Sequence, residues 1–126
     1  FDNTVLQRFI DHDVDVVSGI YRQRKDTQIL EIYGEHGSNL EWSDISDNKL
    51  FKIGGCGFGC VLVKREVFEG VGQPAFEYHV ALDHKNTVSE DWDFCAKARD
   101  RGFEVWADTD VVCGHIGSTV FRVTSE

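Results

Sequence analysis

The sequence predicts an α/β fold, and two observations carry that expectation. Residues 4–12 place apolar side chains (Val5, Leu6, Phe9, Ile10) at helical spacing and run directly into the apolar strand 15–21, DVVSGIY. That is the helix-to-strand alternation of an α/β sheet. Residues 89–101 read as a second helix with its own start and stop signals, and a strand, 103–107, follows at once. The 126 residues form a single domain, 1–126, long enough to bury about two-thirds of the surface its unfolded chain exposes.

Composition narrows the class. A hydrophobic content of 41% with 28% charged residues is that of a globular protein, and no apolar run is long enough to span a bilayer. With 13 basic and 22 acidic residues the net charge is −9, which argues against nucleic acid as a partner. A small anionic ligand held by a metal or a local site is compatible with it. The chain opens Phe1-Asp2-Asn3 with no signal-peptide pattern. It contains no methionine, the mark of a processed chain or of a piece of a longer one.

Taken in order, Asp2 or Asn3 is the expected cap of the first helix. After the strand 15–21 comes a polar loop to Thr27, a second strand over 28–33 and a turn over 34–39. The acidic stretch 42–48 is expected to be a mobile connection. Gly54, Gly55, Gly57 and Gly59 then crowd into the seven residues 54–60 and lead into the strand Val61–Val63. Phosphate-binding loops follow a strand and open a helix, the reverse of this order. The glycines instead allow a ligand or a neighbouring chain segment to approach closely. A short helix over 65–70 and a turn containing Pro74 precede a loop, 79–86, in which His79, Asp83 and His84 are either a metal set or ordinary solvated residues.

The stretch Thr87-Val88-Ser89-Glu90-Asp91-Trp92-Asp93-Phe94-Cys95 concentrates the chemistry. Ser89 is suited to cap the helix, because its hydroxyl can accept a bond from a first-turn amide. Glu90 and Asp91 then fall where the helix dipole favours negative charge. Phe94, Cys95 and Ala98 share a face that should be buried, and Gly102 suits a left-handed stop. Beyond it, 103–107 is a strand, 108–110 a turn, 111–117 a strand ending near His115, and 120–123 a short terminal strand. Of the four cysteines, Cys95 and Cys113 read as reduced core thiols, which suggests a reducing, cytoplasmic setting. Cys56 and Cys60 with Cys113 and His115 would make a zinc site, though no paired C-x-x-C supports one.

The order of these motifs, from DVVSGIY through GGCGFGCVLVKREVFEGVGQPAF and SEDWDFCAKARDRGFEVWAD to VVCGHIG, resembles the C-terminal, acceptor-side half of GT-A fold glycosyltransferases, family-2-like enzymes that use sugar nucleotides. The resemblance covers about residues 4–117. It implies a partial GT-A domain with a mixed sheet flanked by helices. The implied activity is transfer of a sugar from a nucleoside-diphosphate sugar to a saccharide or other hydroxyl acceptor. Asp91 of the Glu90–Asp91 pair would be the general base, a role that leans towards inversion. Its carboxyl is expected to ionise near the ordinary value of about 4. Gly55, Cys56 and Gly57 would line the acceptor side, with Trp92 stacked on a sugar. His115 would complete the coordination of Mn²⁺ or Mg²⁺ on the donor diphosphate. Asp11-His12-Asp13, Asp13-Val14-Asp15 and Asp108-Thr109-Asp110 have the letters of the family's Asp-x-Asp metal motif but not its place. The nucleotide-binding half is therefore expected to be missing and this stretch to be inactive alone. A second reading is a non-catalytic module that binds carbohydrate or pairs with another subunit, including a copy of itself.

Overall fold

A computed structural model describes residues 4–22, 29–45, 49–80, 87–116 and 120–121. In chain order they form α1 (Val5–His12), β1 (Val16–Ile20), β2 (Ile29–Tyr33), β3 (Asn39–Glu41), α2 (Trp42–Ile45), β4 (Leu50–Ile53), β5 (Gly55–Cys56) and β6 (Val61–Val63). Next come α3 (Arg65–Val71), β7 (His79–Val80), β8 (Thr87–Val88), α4 (Glu90–Asp100), β9 (Val105–Val112), β10 (His115–Ile116) and β11 (Val120–Phe121). The principal sheet has the order β4-β9-β1-β6. Its central strands β1 and β9 run parallel, with Val16 beside Val105 and Ser18 beside Ala107, while β4 and β6 lie antiparallel at the edges. The fold is mixed α/β, a mixed sheet flanked by helices.

Every residue of β1 is buried, as a strand covered on both faces requires. Side chains alternate along it. Val16 and Ile20 join the main core with Leu30, Ile32, Ile53, Val67, Phe94 and Ala98, under α3 and α4. Val17 faces the other way, into a smaller cluster with Val5 and Phe9 of α1, Cys60 and Val111. A second sheet, β3-β2-β5, and the hairpins β7–β8 and β10–β11 complete the described chain.

Several expectations change. The connection expected over 42–48 is in part α2, because Ile45 is fully buried and anchors it. The turn expected at 108–110 is continuous strand, since β9 runs through it to Val112. A buried acid interrupts the apolar pattern there, and its charge is met by partners on α1. His79 lies on β7, paired with Val88, and not in a loop. The residue at the cap position of α1 is Thr4, which makes no side-chain capping bond, whereas Asp2 and Asn3 lie outside the described residues. Leu6 and Ile10 of α1 are more than half exposed, so only Val5 and Phe9 of its apolar set are buried. Among the described residues no helix is long and apolar enough to cross a membrane.

Candidate functional site

The start of α4 is built as its sequence implies. The Ser89 hydroxyl accepts the Trp92 N–H at 3.3 Å, and Phe94, Cys95 and Ala98 are fully buried. Three acids, Glu90, Asp91 and Asp93, occupy the first turn. At the other end Gly102 takes φ +88°, and its N–H bonds back to the Arg99 carbonyl.

Glu90 is exposed and Asp91 is half-buried. The Phe58 N–H, from the glycine-rich loop, donates to Asp91 Oδ2 at 3.3 Å. Burial raises the Asp91 pKa, the Phe58 bond offsets part of the rise, and the neighbouring Glu90 charge adds to it. The carboxyl expected at its ordinary value is thus more basic than that, despite its place at a helix N-terminus.

Gly55, Cys56 and Gly57 are buried. Gly55 packs against Trp92 and Cys95, Gly57 against Tyr21, and Cys56 lies in the core. A side chain on Gly55 would put its Cβ 2.6 Å from Trp92 Cε3, and one on Gly59 would put it 2.8 Å from the Tyr21 ring. The Tyr21 hydroxyl accepts the Gly59 N–H at 2.9 Å, which fixes the loop that presents Phe58. Close approach of chain segments, not of a ligand, accounts for these glycines.

Trp92 is partly buried and packed on several sides. Gly55 packs on its ring, the Arg99 guanidinium lies 5.1 Å from the centroid, and Tyr33 meets it edge-on at 5.6 Å. Its outer edge joins Tyr33, Gly37, Tyr78, Val88 and Ser89 around an open groove of about 360 Å³.

Asp93 was not singled out by sequence, yet it centres a polar network. Its carboxylate accepts the Glu77 N–H at 3.2 Å, pairs with Lys97 at 2.8 Å and contacts His79 Nε2 at 3.1 Å. Burial opposes ionisation of Asp93, but the bonds from Lys97 and His79 outweigh it and hold the carboxyl below its ordinary range. Glu77, His79 and Asp93 bring one ligand atom each within 4.8 Å of the others, a donor set of the kind Mn²⁺ accepts. The Lys97 ammonium already bridges the two carboxylates, at 2.7 Å from Glu77. A cation there has to displace it, so these residues do not fit a diphosphate clamp as they stand.

The other metal candidates fare differently. His115 sits on β10 opposite Phe121, and its side chain is outside the described set, as are Asp83 and His84. The Asp-x-Asp look-alikes are committed elsewhere. Asp108, fully buried, pairs with Arg8 and with His12 at 2.7 Å, while Asp110 pairs with Arg8 and Asp13 with Lys64. Burial would raise the Asp108 pKa, but the bonds from Arg8 and His12 lower it overall. The cysteines are all free thiols and divide between two places. Cys56 and Cys95 lie together in the main core, and Cys60 and Cys113 belong to the smaller cluster. The zinc set of Cys56 with Cys60 and Cys113 is therefore split, because the glycine loop turns its two thiols towards different cores. The bond from Cys113 lowers the Cys60 pKa to about 7.

No family model matches the sequence, and no curated protein does. Among solved structures the chain is similar to the crystal structure of A197 from STIV, with a TM-score of 0.61 over 100% of this chain at 18% identity. The likeness is one of fold. This chain spans 60% of the length of that structure.

Sequence reasoning named Asp91, Glu90 and Trp92, which the structure brings to one helix end, and missed Asp93, Tyr33 and Tyr78. The four-residue spacing of Asp93 and Lys97 was the available signal for the first. An exposed Tyr78 after a proline turn offered none.

Proposed function

We propose that this chain is the acceptor-side part of a GT-A glycosyltransferase, which moves a sugar from a nucleoside-diphosphate donor to an acceptor hydroxyl. The observation that carries the reading is the Asp91 carboxyl, half-buried at the helix end that also supplies Ser89 and Trp92 to an open groove, oriented by the Phe58 amide and raised above its ordinary pKa. A carboxylate in that condition is a stronger base than a solvated one, the direction general-base catalysis favours. Asp91 takes the proton as the acceptor oxygen attacks the anomeric carbon and the nucleoside diphosphate departs. A divalent cation on that diphosphate would neutralise its charge. The sequence order of motifs and a mixed α/β fold are compatible with this role.

The test is transfer by the full-length gene product carrying this chain, with Mn²⁺ or Mg²⁺, a panel of nucleoside-diphosphate sugars and hydroxyl acceptors. Asp91→Asn should lower kcat by roughly 10²–10⁴-fold with little change in donor KM. Transfer unchanged in that variant removes Asp91 from the chemistry. The same groove without transfer would make the chain a non-catalytic carbohydrate-binding module.

A further inference from the structure

We infer that the groove walled by Tyr33, Gly37, Tyr78, Val88, Ser89 and Trp92 binds one neutral pyranose ring, laid on the Tyr78 side chain. The inference rests on the glycosyltransferase reading for its meaning, since it fixes the acceptor as a saccharide. The binding itself stands on the groove.

None of the six lining residues carries a formal charge at neutral pH. The adjoining Glu90 and Asp91 disfavour an anion, and so does a net charge of −9. The lining alternates aromatic surface with polar groups. The Ser89 hydroxyl accepts from the Trp92 amide, which leaves its own O–H as a donor. A sugar ring has the matching character, an apolar C–H face with hydroxyls around its rim. At about 360 Å³ the groove is near the small end of ligand pockets, which span roughly 300–1,000 Å³. It has room for one ring.

An aromatic cage for a quaternary ammonium is the rival chemistry, but it needs several open ring faces. Here Trp92 already holds Arg99 over its ring and Gly55 against it, and Tyr33 packs T-shaped against Trp92. Tyr78, 62% exposed, is the ring left open to a ligand. The stacking platform is therefore Tyr78, and Trp92 serves as the wall behind it.

The experiment titrates the purified protein with methyl glycosides of glucose, galactose and N-acetylglucosamine, and separately with choline, following tryptophan fluorescence. Saturable millimolar binding of at least one glycoside is expected. Tyr78→Ala should weaken it about tenfold, Tyr78→Phe should keep it within about threefold, and the remote exposed Ile10→Ser should leave it unchanged. Circular dichroism shows whether each variant is folded. Preferential binding of choline overturns the inference, as does the absence of glycoside binding or indifference to Tyr78→Ala in the folded variant. Transfer activity separates the two readings. Sugar binding that depends on Tyr78 without transfer from any donor would fail the glycosyltransferase and keep the groove. Transfer to saccharides unaffected by Tyr78→Ala would fail the groove and keep the enzyme.

Discussion

At Asp91 three influences meet on one carboxyl: burial and the neighbouring Glu90 favour the protonated form, and the Phe58 amide favours the charged one. The first two win, so the pKa in the folded chain lies above that of the unfolded chain. The consequence for stability has a definite sign. The carboxyl costs nothing while protonated in both states, and it begins to cost as pH rises from about 4 through its raised folded value. Asp91→Asn should therefore raise the melting temperature at pH 7, with a gain that shrinks to nothing on acidification below about pH 4. Thermal unfolding of both proteins across that range checks it, and a gain that is flat with pH would remove the titration of Asp91 as its source.

Between elements, the contact of β5 with α4 positions the candidate site, and it depends on Gly55. A methyl group there would stand 2.6 Å from Trp92 Cε3 and 3.2 Å from Cys95 Cβ, against a ring held by Tyr33 and Arg99. Gly55→Ala should destabilise the protein by about 1–3 kcal/mol through overpacking, read by denaturant unfolding, and should shift tryptophan fluorescence as the ring moves. Much of this level was legible in the sequence. Ser89, the first-turn acids and Gly102 delimit α4, and the apolar run 16–20 is β1, because caps and continuous hydrophobicity are local signals. What could not be read depends on distant partners. The chain around Asp108 reads as a turn until Arg8 and His12, about 100 residues away, are seen to meet its charge. The glycine loop reads as ligand-facing until Tyr21 and Trp92 are seen to fill the space above it. Ile45 sits in an acidic stretch whose composition conceals that one residue is core.

For the molecule as a whole, the buried Asp108 ties α1 to β9 and so holds one helical layer against the sheet. Asp108→Ala leaves Arg8 and His12 without their shared acceptor and should cost roughly 3–5 kcal/mol. Because the Asp108 pKa is lowered in the fold, its contribution is present above about pH 4 and is lost as pH falls through the depressed value. Acid titration of stability should accordingly be shallower in the variant than in the parent protein. Identical acid profiles would show that the network contributes nothing to acid sensitivity.

The parallel pairing of β1 with β9 joins segments about 90 residues apart in sequence. During synthesis at roughly 5–20 residues per second, β1 emerges some 5–20 s before β9 exists to cover it. Throughout that interval Val16-Val17-Ser18-Gly19-Ile20, uncharged and rich in branched side chains, has an open flank of unsatisfied amides and carbonyls. A nascent chain is thus exposed to misassociation along this flank until residues 105–112 have been made, and chaperone demand from it should fall once they leave the ribosome.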